Sequence, residues 1–319
     1  MTIAPRVMSS FALLLLLVPT ARAGEIPSGE TVLLKWKVPE GEAIAFKTTM
    51  EALDPESTKV DVRSMFDALA RMLGVDEEEP QSARRGSEMD EEVLKKMNEF
   101  FKSLQLPDTY SMTTVLTPRE NGNLSVRMIM DPLPEEKSSD NPPEAFFRNM
   151  MKGVQLRGEI TPLGKIASFY FETKQKNLLA MFFELPGRPV RVGETWSLEA
   201  NLLWMGHGFI CDKAQRVNRV QLASLEPTGD GDRVATLDYL LYESVEGDFM
   251  SPFGGGKKTP TTMAFGFAGR GEFLIGKGAW RRFVGHMWMK ATGIMNSDTR
   301  QRFALEPMDE VPLTYLKME

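Results

Sequence analysis

The sequence predicts an α+β protein in which two related antiparallel β units form an open or curved sheet assembly, the first unit bearing helical insertions. Three observations carry this expectation. The stretch 185–204, LPGRPVRVGETWSLEANLLW, runs from a Pro/Gly turn through Val190-Arg191-Val192 and Gly193-Glu194 into an alternation of apolar and polar residues, the mark of a half-buried strand. An earlier stretch, 38–50, VPEGEAIAFKTTM, follows the same order, with Gly41-Glu42 standing where Gly193-Glu194 stand. Between these two stretches the apolar period turns helical, whereas the chain beyond 209 reads almost entirely as strand.

The first residues carry Arg6, an apolar run over 11–18, Pro19 and the small-x-small site Ala21-Arg22-Ala23, the layout of a secretory signal peptide cleaved after Ala23. The run is shorter than the roughly 20 apolar residues a transmembrane helix needs. The expected product is an exported, soluble chain, periplasmic or extracellular. Cys211 is the single cysteine, so no internal disulfide can form and stability must come from the core. Losing the two arginines of the signal takes the formal charge from −6 to −8, which speaks against nucleic acid or an anionic membrane as partner.

In the mature chain the alternation over 34–38 places Trp36 and Val38 on one face and Lys35 and Lys37 on the other, and Pro39-Glu40-Gly41 turns that strand into the next. Helical spacing of Val62, Met65, Phe66, Leu69, Met72 and Leu73 predicts a helix over 61–73, closed by Gly74. The charged stretch 76–86 is a surface loop. Ser87, with Asp90 three residues on, caps a second helix over 87–104 whose stripe is Met89, Val93, Met97, Phe100, Phe101 and Leu104, and Pro107 stops it.

Asn121-Gly122 between two alternating runs, 110–117 and 123–130, predicts a hairpin. The Pro-, Ser- and Glu-rich connection 132–143 leads to a short helix over 144–152 with Phe146, Phe147, Met150 and Met151 inward. Another hairpin, 154–160 with 165–171, turns at Thr161-Pro162-Leu163-Gly164, and a helix over 175–184 has Leu178, Leu179, Phe182 and Phe183 on one side. Strands follow over 209–225, 233–246, 261–275, 279–292 and 299–305.

Gly158-Glu159 and Gly164-Lys165 near the end of the first half are echoed by Gly271-Glu272 and Gly276-Lys277 in the second. Together with the Gly-Glu openers these give two markers per half in the same order, which points to a duplicated fold, divided as 1–23 signal, 24–184 first unit and 185–319 second unit, packed as one body. The segments VLLKWKVPEGEAIAFKTTM, QLRGEITPLGKIASFYFETKQKNLLAMFFELPGRPVRVGETWS and AGRGEFLIGKGAWRRF resemble an exported bacterial family of unknown function. That resemblance implies a β-rich exported protein and supplies no catalytic residues.

Most chemistry is weakly supported. His207 and Cys211, in GHGFICD, share a strand face but lie too far apart for a thiol and its base, so the bland reading is a cysteine packed as a small hydrophobe. With His207, His286 and Cys211 alone, zinc would have to recruit carboxylates from separate loops, and no metal or cofactor is expected. Gly254–Thr259 lacks the spacing of a phosphate loop. Glu42 and Glu194 are read as turn chemistry.

The apolar residues say more. The chain has 21 methionines, several on helix faces that should meet the sheet, and flexible thioethers suit surfaces that accept varied apolar partners, although ordinary core packing explains them as well. The expected role is therefore non-enzymatic binding of an apolar small molecule or a protein partner. An envelope structural or assembly factor is the alternative, and a hydrolase a distant third. Candidate ligand-binding residues are Met65, Leu69, Met72, Met97 and Phe101 on the inserted helices, which are either a lid over an apolar cleft or a plain cover. Trp280 and Trp288 join them if one face of 279–290 is an exposed aromatic strip rather than a buried one.

Overall fold

A computed structural model describes residues 29–53, 108–132, 153–169, 173–203, 208–250, 258–293 and 296–316. The predicted helices 61–73, 87–104 and 144–152, and with them Met65, Leu69, Met72, Met97 and Phe101, lie outside the described residues. The described residues from Thr31 onward belong to one compact unit.

The α+β expectation is corrected. The described chain is almost all β: β1 (Thr31–Val32), β2 (Ile44–Ala52), β3 (Thr109–Pro118), β4 (Leu124–Met130), β5 (Gly153–Ile160), β6 (Ile166–Phe169), β7 (Val190–Arg191), β8 (Thr195–Trp196), β9 (Phe209–Pro227), β10 (Arg233–Met250), β11 (Lys258–Leu274), β12 (Ala279–Thr292) and β13 (Ser297–Pro307). Among the described residues only two short helices accompany them, α1 (Thr173–Phe183) and the single turn α2 (Leu313–Leu316). Two helices of this size cannot form a layer over such a sheet. The long alternating runs of the second half, up to 19 residues in β9, set the class instead.

Eleven strands form one antiparallel sheet in the order β6-β5-β4-β3-β2-β13-β12-β11-β10-β9-β8, and β1 pairs with β7 in a separate two-stranded ribbon. Tight turns join β3 to β4, β5 to β6, β9 to β10 and β11 to β12, as the alternation and turn chemistry require. In the hairpin of β3 and β4, Gly122 takes a φ of +80°, a conformation glycine adopts without a Cβ penalty. Strand β13 joins the meander of the first half to that of the second, pairing with β2 on one side and β12 on the other.

One sheet face packs on α1. Residues Leu179 to Phe183 are all buried, so the C-terminal part of this helix is enclosed by the core on every side, beyond the single inward stripe expected for it. The carbonyls of a last helical turn have no partner within the helix. Here, deep in the core, Phe183 O accepts from the Trp36 indole at 2.8 Å and Phe182 O from the Trp280 indole at 2.7 Å. The two indoles, with Phe46, Phe182, Phe183, Phe273, Phe283 and Phe303, form an aromatic knot with ring centroids 5.0–6.5 Å apart.

The segment 33–38 keeps the predicted alternation in burial, with Leu34 and Trp36 inside and Lys35 and Lys37 outside. It forms no ladder of its own beyond β1. Consecutive amides instead reach opposite ways, Trp36 N to Pro162 O at 2.7 Å and Lys37 N to Gly278 O at 3.0 Å, so the strap ties the β5–β6 turn to the β11–β12 turn.

Candidate functional site

The cross-strand register lays out the inner face as successive rows running away from the aromatic knot. Met130, Met112 and Thr48 lie side by side on β4, β3 and β2, followed by Tyr110, Met50 and Phe303. Beyond these come Gln301, Met287 and Phe267, then Thr299, Met289 and Phe265, then Ala291, Met263 and Val245. Side chains two apart on a strand share a face, so this is one apolar surface dominated by thioethers.

Burial divides it. Near the knot Met50, Met128 and Met130 are closed off, whereas Met263, Phe265, Met287 and Met289 are only half-buried. The polar groups along this surface are few. Burial pushes the Tyr110 phenol above its usual range while a hydrogen bond to the Gln301 side chain acts the other way, so Tyr110 remains a neutral phenol. The hydroxyls of Thr48 and Thr114, both fully buried, have no hydrogen-bond partner. Further along, Glu243 accepts from the amides of Leu202 at 2.8 Å and Leu203 at 3.3 Å, and its cross-strand neighbour Arg216 donates to Ala200 O and Asn201 Oδ1. These contacts lash residues 200–203 to the sheet. Asn177 of α1 completes the tie by accepting from the Asn201 amide at 3.0 Å.

The sheet end beyond Met50 and Met130 is also where the long connections leave. Ala52 N bonds to Asp108 O at 2.7 Å, so the segment 54–107 departs and returns at one point beside Met50 and Tyr110. Met130 pairs with Gly153, so the segment 133–152 does the same. The sequence-predicted Met65, Leu69, Met72, Met97 and Phe101 belong to the first of these segments.

The two candidate tryptophans do not come together. Strict alternation along β12 puts Trp280 and Trp288 on one face, but Glu272 pairs with Arg282 and Phe273 with Trp280, leaving Arg281 as a bulge. The extra residue turns Trp280 inward, where it is 1% exposed in the knot, and leaves Trp288 on the outer face. Trp280 is thus structural. The sequence does hold a sign of this, because Trp280 and Phe283 are three apart, a spacing that cannot share a face without a bulge.

The remaining chemical candidates are also dispersed. Cys211 is exposed on β9, its thiol 3.3 Å from Lys213 O, whereas His286 is exposed on the outer face of β12, with two strands between them; His207 lies outside the described residues. Glu194 accepts from Arg188 and from the Arg191 amide at 3.0 Å, which holds its carboxyl below the usual range and fits the turn role read from sequence. Among the described residues no helix is long and apolar enough to cross a membrane. Compared with protein-family models, with curated proteins and with solved structures, the chain matches none of them.

Proposed function

We propose that this is an exported, non-enzymatic protein that binds an apolar small molecule on the methionine-lined inner face. The observation that carries this reading is the change in burial along one continuous surface. Methionines are sealed near the knot but half-open at Met263, Met287 and Met289, where Phe265 adds an aromatic wall. Thioethers repack around varied apolar shapes at little cost, which suits a binding surface better than a fixed core. The signal-peptide layout of residues 1–23 and the resemblance to an exported family support the compartment.

Assembly through strand addition, the alternative, is less well supported. The edge of β9 is exposed over 210–217, yet Lys213 pairs with Glu246 and Cys211 with Gly247, which leaves Asp212 as a bulge. A bulge flanked by charges is how proteins prevent such an edge from pairing.

The test is a titration of the full chain with a fluorescent fatty acid such as cis-parinaric acid. Saturable uptake is expected, weakened at least tenfold in Met287→Gln/Met289→Gln, with the unfolding midpoint read in parallel. Absence of saturable uptake, or a double variant that binds like the parent, overturns the reading.

A further inference from the structure

The bulge at Arg281 that buries Trp280 leaves Trp288 with different company on the opposite sheet face. The register there aligns Val217, Tyr242, Gly266, Trp288 and Arg300 across β9, β10, β11, β12 and β13. Val217 is 41% exposed, and Leu240, on the same face two residues from Tyr242, is 40% exposed. The Tyr242 and Trp288 rings lie 5.9 Å apart at 40°. They meet across β11 because no Cβ stands between them: one on Gly266 would fall 2.2 Å from Trp288 Nε1, so the half-buried indole rests directly on the glycine backbone. Ala264 and Ala268 flank Gly266 and keep the surface low.

The rim is cationic although the protein is acidic overall, with a formal charge of −6. Lys290 and His286 lie two residues either side of Trp288, Arg300 faces it, and Arg219 lies two residues from Val217; all four are exposed. Arg300 is engaged by Asp298 at 3.4 Å. Asp298 also stands opposite Lys290 in the register, and among the described residues no ion pair is formed by Lys290 or Arg219.

We propose that this platform binds an acidic polysaccharide, with sugar rings laid on Trp288 and Tyr242 and their carboxylates met by Lys290 and Arg219. Ring faces rich in C–H suit the electron-rich face of an indole, which is shaped for flat, apolar contact with a polar edge. A low aromatic shelf offers no depth for a compact ligand, and the two exposed cations at its rim select for acid groups on an extended one. This site is separate from the inner methionine face and does not depend on it.

The experiment is calorimetric titration of the full chain with oligogalacturonate and, in parallel, with cello-oligosaccharides of the same length. Saturable binding of the acidic chain is expected, at least tenfold tighter than of the neutral one, and weakened at higher salt as exposed charge contacts require. Trp288→Ala and Tyr242→Ser should each weaken it tenfold or more, Lys290→Gln/Arg219→Gln should remove the preference for acid groups, and Met287→Gln/Met289→Gln should leave it unchanged. Unfolding midpoints of the two aromatic variants separate lost binding from lost fold, since each removes a different ring. Equal binding of the neutral oligosaccharide, no saturable heat, or binding that survives loss of both rings overturns the proposal.

Discussion

Trp36 and Trp280, 244 positions apart in the numbering, hydrogen-bond to adjacent carbonyls of one helix end, Phe183 and Phe182, and their rings meet edge to face with centroids 6.0 Å apart at 82°. Each indole does two jobs at this point. Its N–H satisfies a carbonyl that would otherwise be buried unpaired, and its ring fills the space between α1 and the sheet.

Replacing either tryptophan by phenylalanine leaves much of the ring and orphans the carbonyl, at an expected cost of about 1–3 kcal/mol each. Because the rings touch, the double variant should depart from additivity by about 0.5 kcal/mol or more. Urea unfolding of the two single variants and the double variant checks this, and strict additivity would mean that the two bonds act independently.

Two glycines with similar backbones separate strain from collision. Gly187 has a φ of +70° with open space where a Cβ would sit, whereas Gly164 has a φ of +78° and a Cβ there would fall 2.4 Å from Leu185 N and 2.5 Å from Phe183 O. Gly187→Ala should therefore cost only the left-handed penalty, about 1–2 kcal/mol. Gly164→Ala must also push the α1 exit off the β5–β6 turn, and its cost should exceed roughly 4 kcal/mol. Similar unfolding midpoints for the two variants would contradict this difference.

The hairpins, the five long strands and the helix before the second unit were legible because local chemistry decides them: Asn121-Gly122 admits a tight turn, and β12 begins and ends where its alternation does. The class was not. Helical periodicity between the two Gly-Glu stretches points to α+β, whereas the described fold is governed by the width of one sheet, and strand order is a property of pairing that periodicity does not contain. Alternation alone misassigns the faces of β12 for a similar reason. A bulge such as Arg281 inserts one residue into a period of two and reverses every assignment on one side of it. The inner methionine surface was missed in its true form, since Met50, Met112, Met130, Met287 and Met289 come from separated segments that only register brings together.

Acid should loosen the tip of the β3–β4 hairpin. Glu159 accepts from Asn123 Nδ2 at 2.6 Å and Asn121 Nδ2 at 2.7 Å, and these amides hold its carboxyl below the ordinary glutamate range. A depressed folded value means the unfolded chain takes up the proton first. The contribution is complete above the ordinary range and is lost as pH falls through the lower folded value. Glu159→Gln should flatten that part of the stability profile between neutral and acid pH. If urea midpoints of parent and variant fall in parallel, the carboxylate plays no part.

The last prediction concerns the chain's C-terminal segment, which covers the outer face where β2, β3 and β4 present a small apolar cluster. Ala45, Val115 and Ile129 are buried there under Met308, Val311 and Tyr315, and the Met308 amide bonds to Ala45 O at 2.9 Å. The cover is fastened by Asp131, which accepts from Ser111 Oγ at 2.6 Å, Thr113 Oγ1 at 2.7 Å and Tyr315 Oη at 3.1 Å. Burial pushes the Tyr315 phenol above its usual range, and the Asp131 charge adds to this, so it stays a donor at neutral pH and the bond is lost only as strong alkali ionises it. Because the contact is partly solvated, Tyr315→Phe should cost only about 1 kcal/mol, the low end for a bond to a charged group. That cost should fall locally, since the segment is a thin layer that can open without unfolding the sheet. Hydrogen exchange reads it directly: the Met308 amide should exchange about fivefold faster in Tyr315→Phe, while amides of β12 keep their parental rates. Unchanged exchange at Met308, or an equal acceleration throughout β12, would show that Asp131 and Tyr315 do not act as a local fastening.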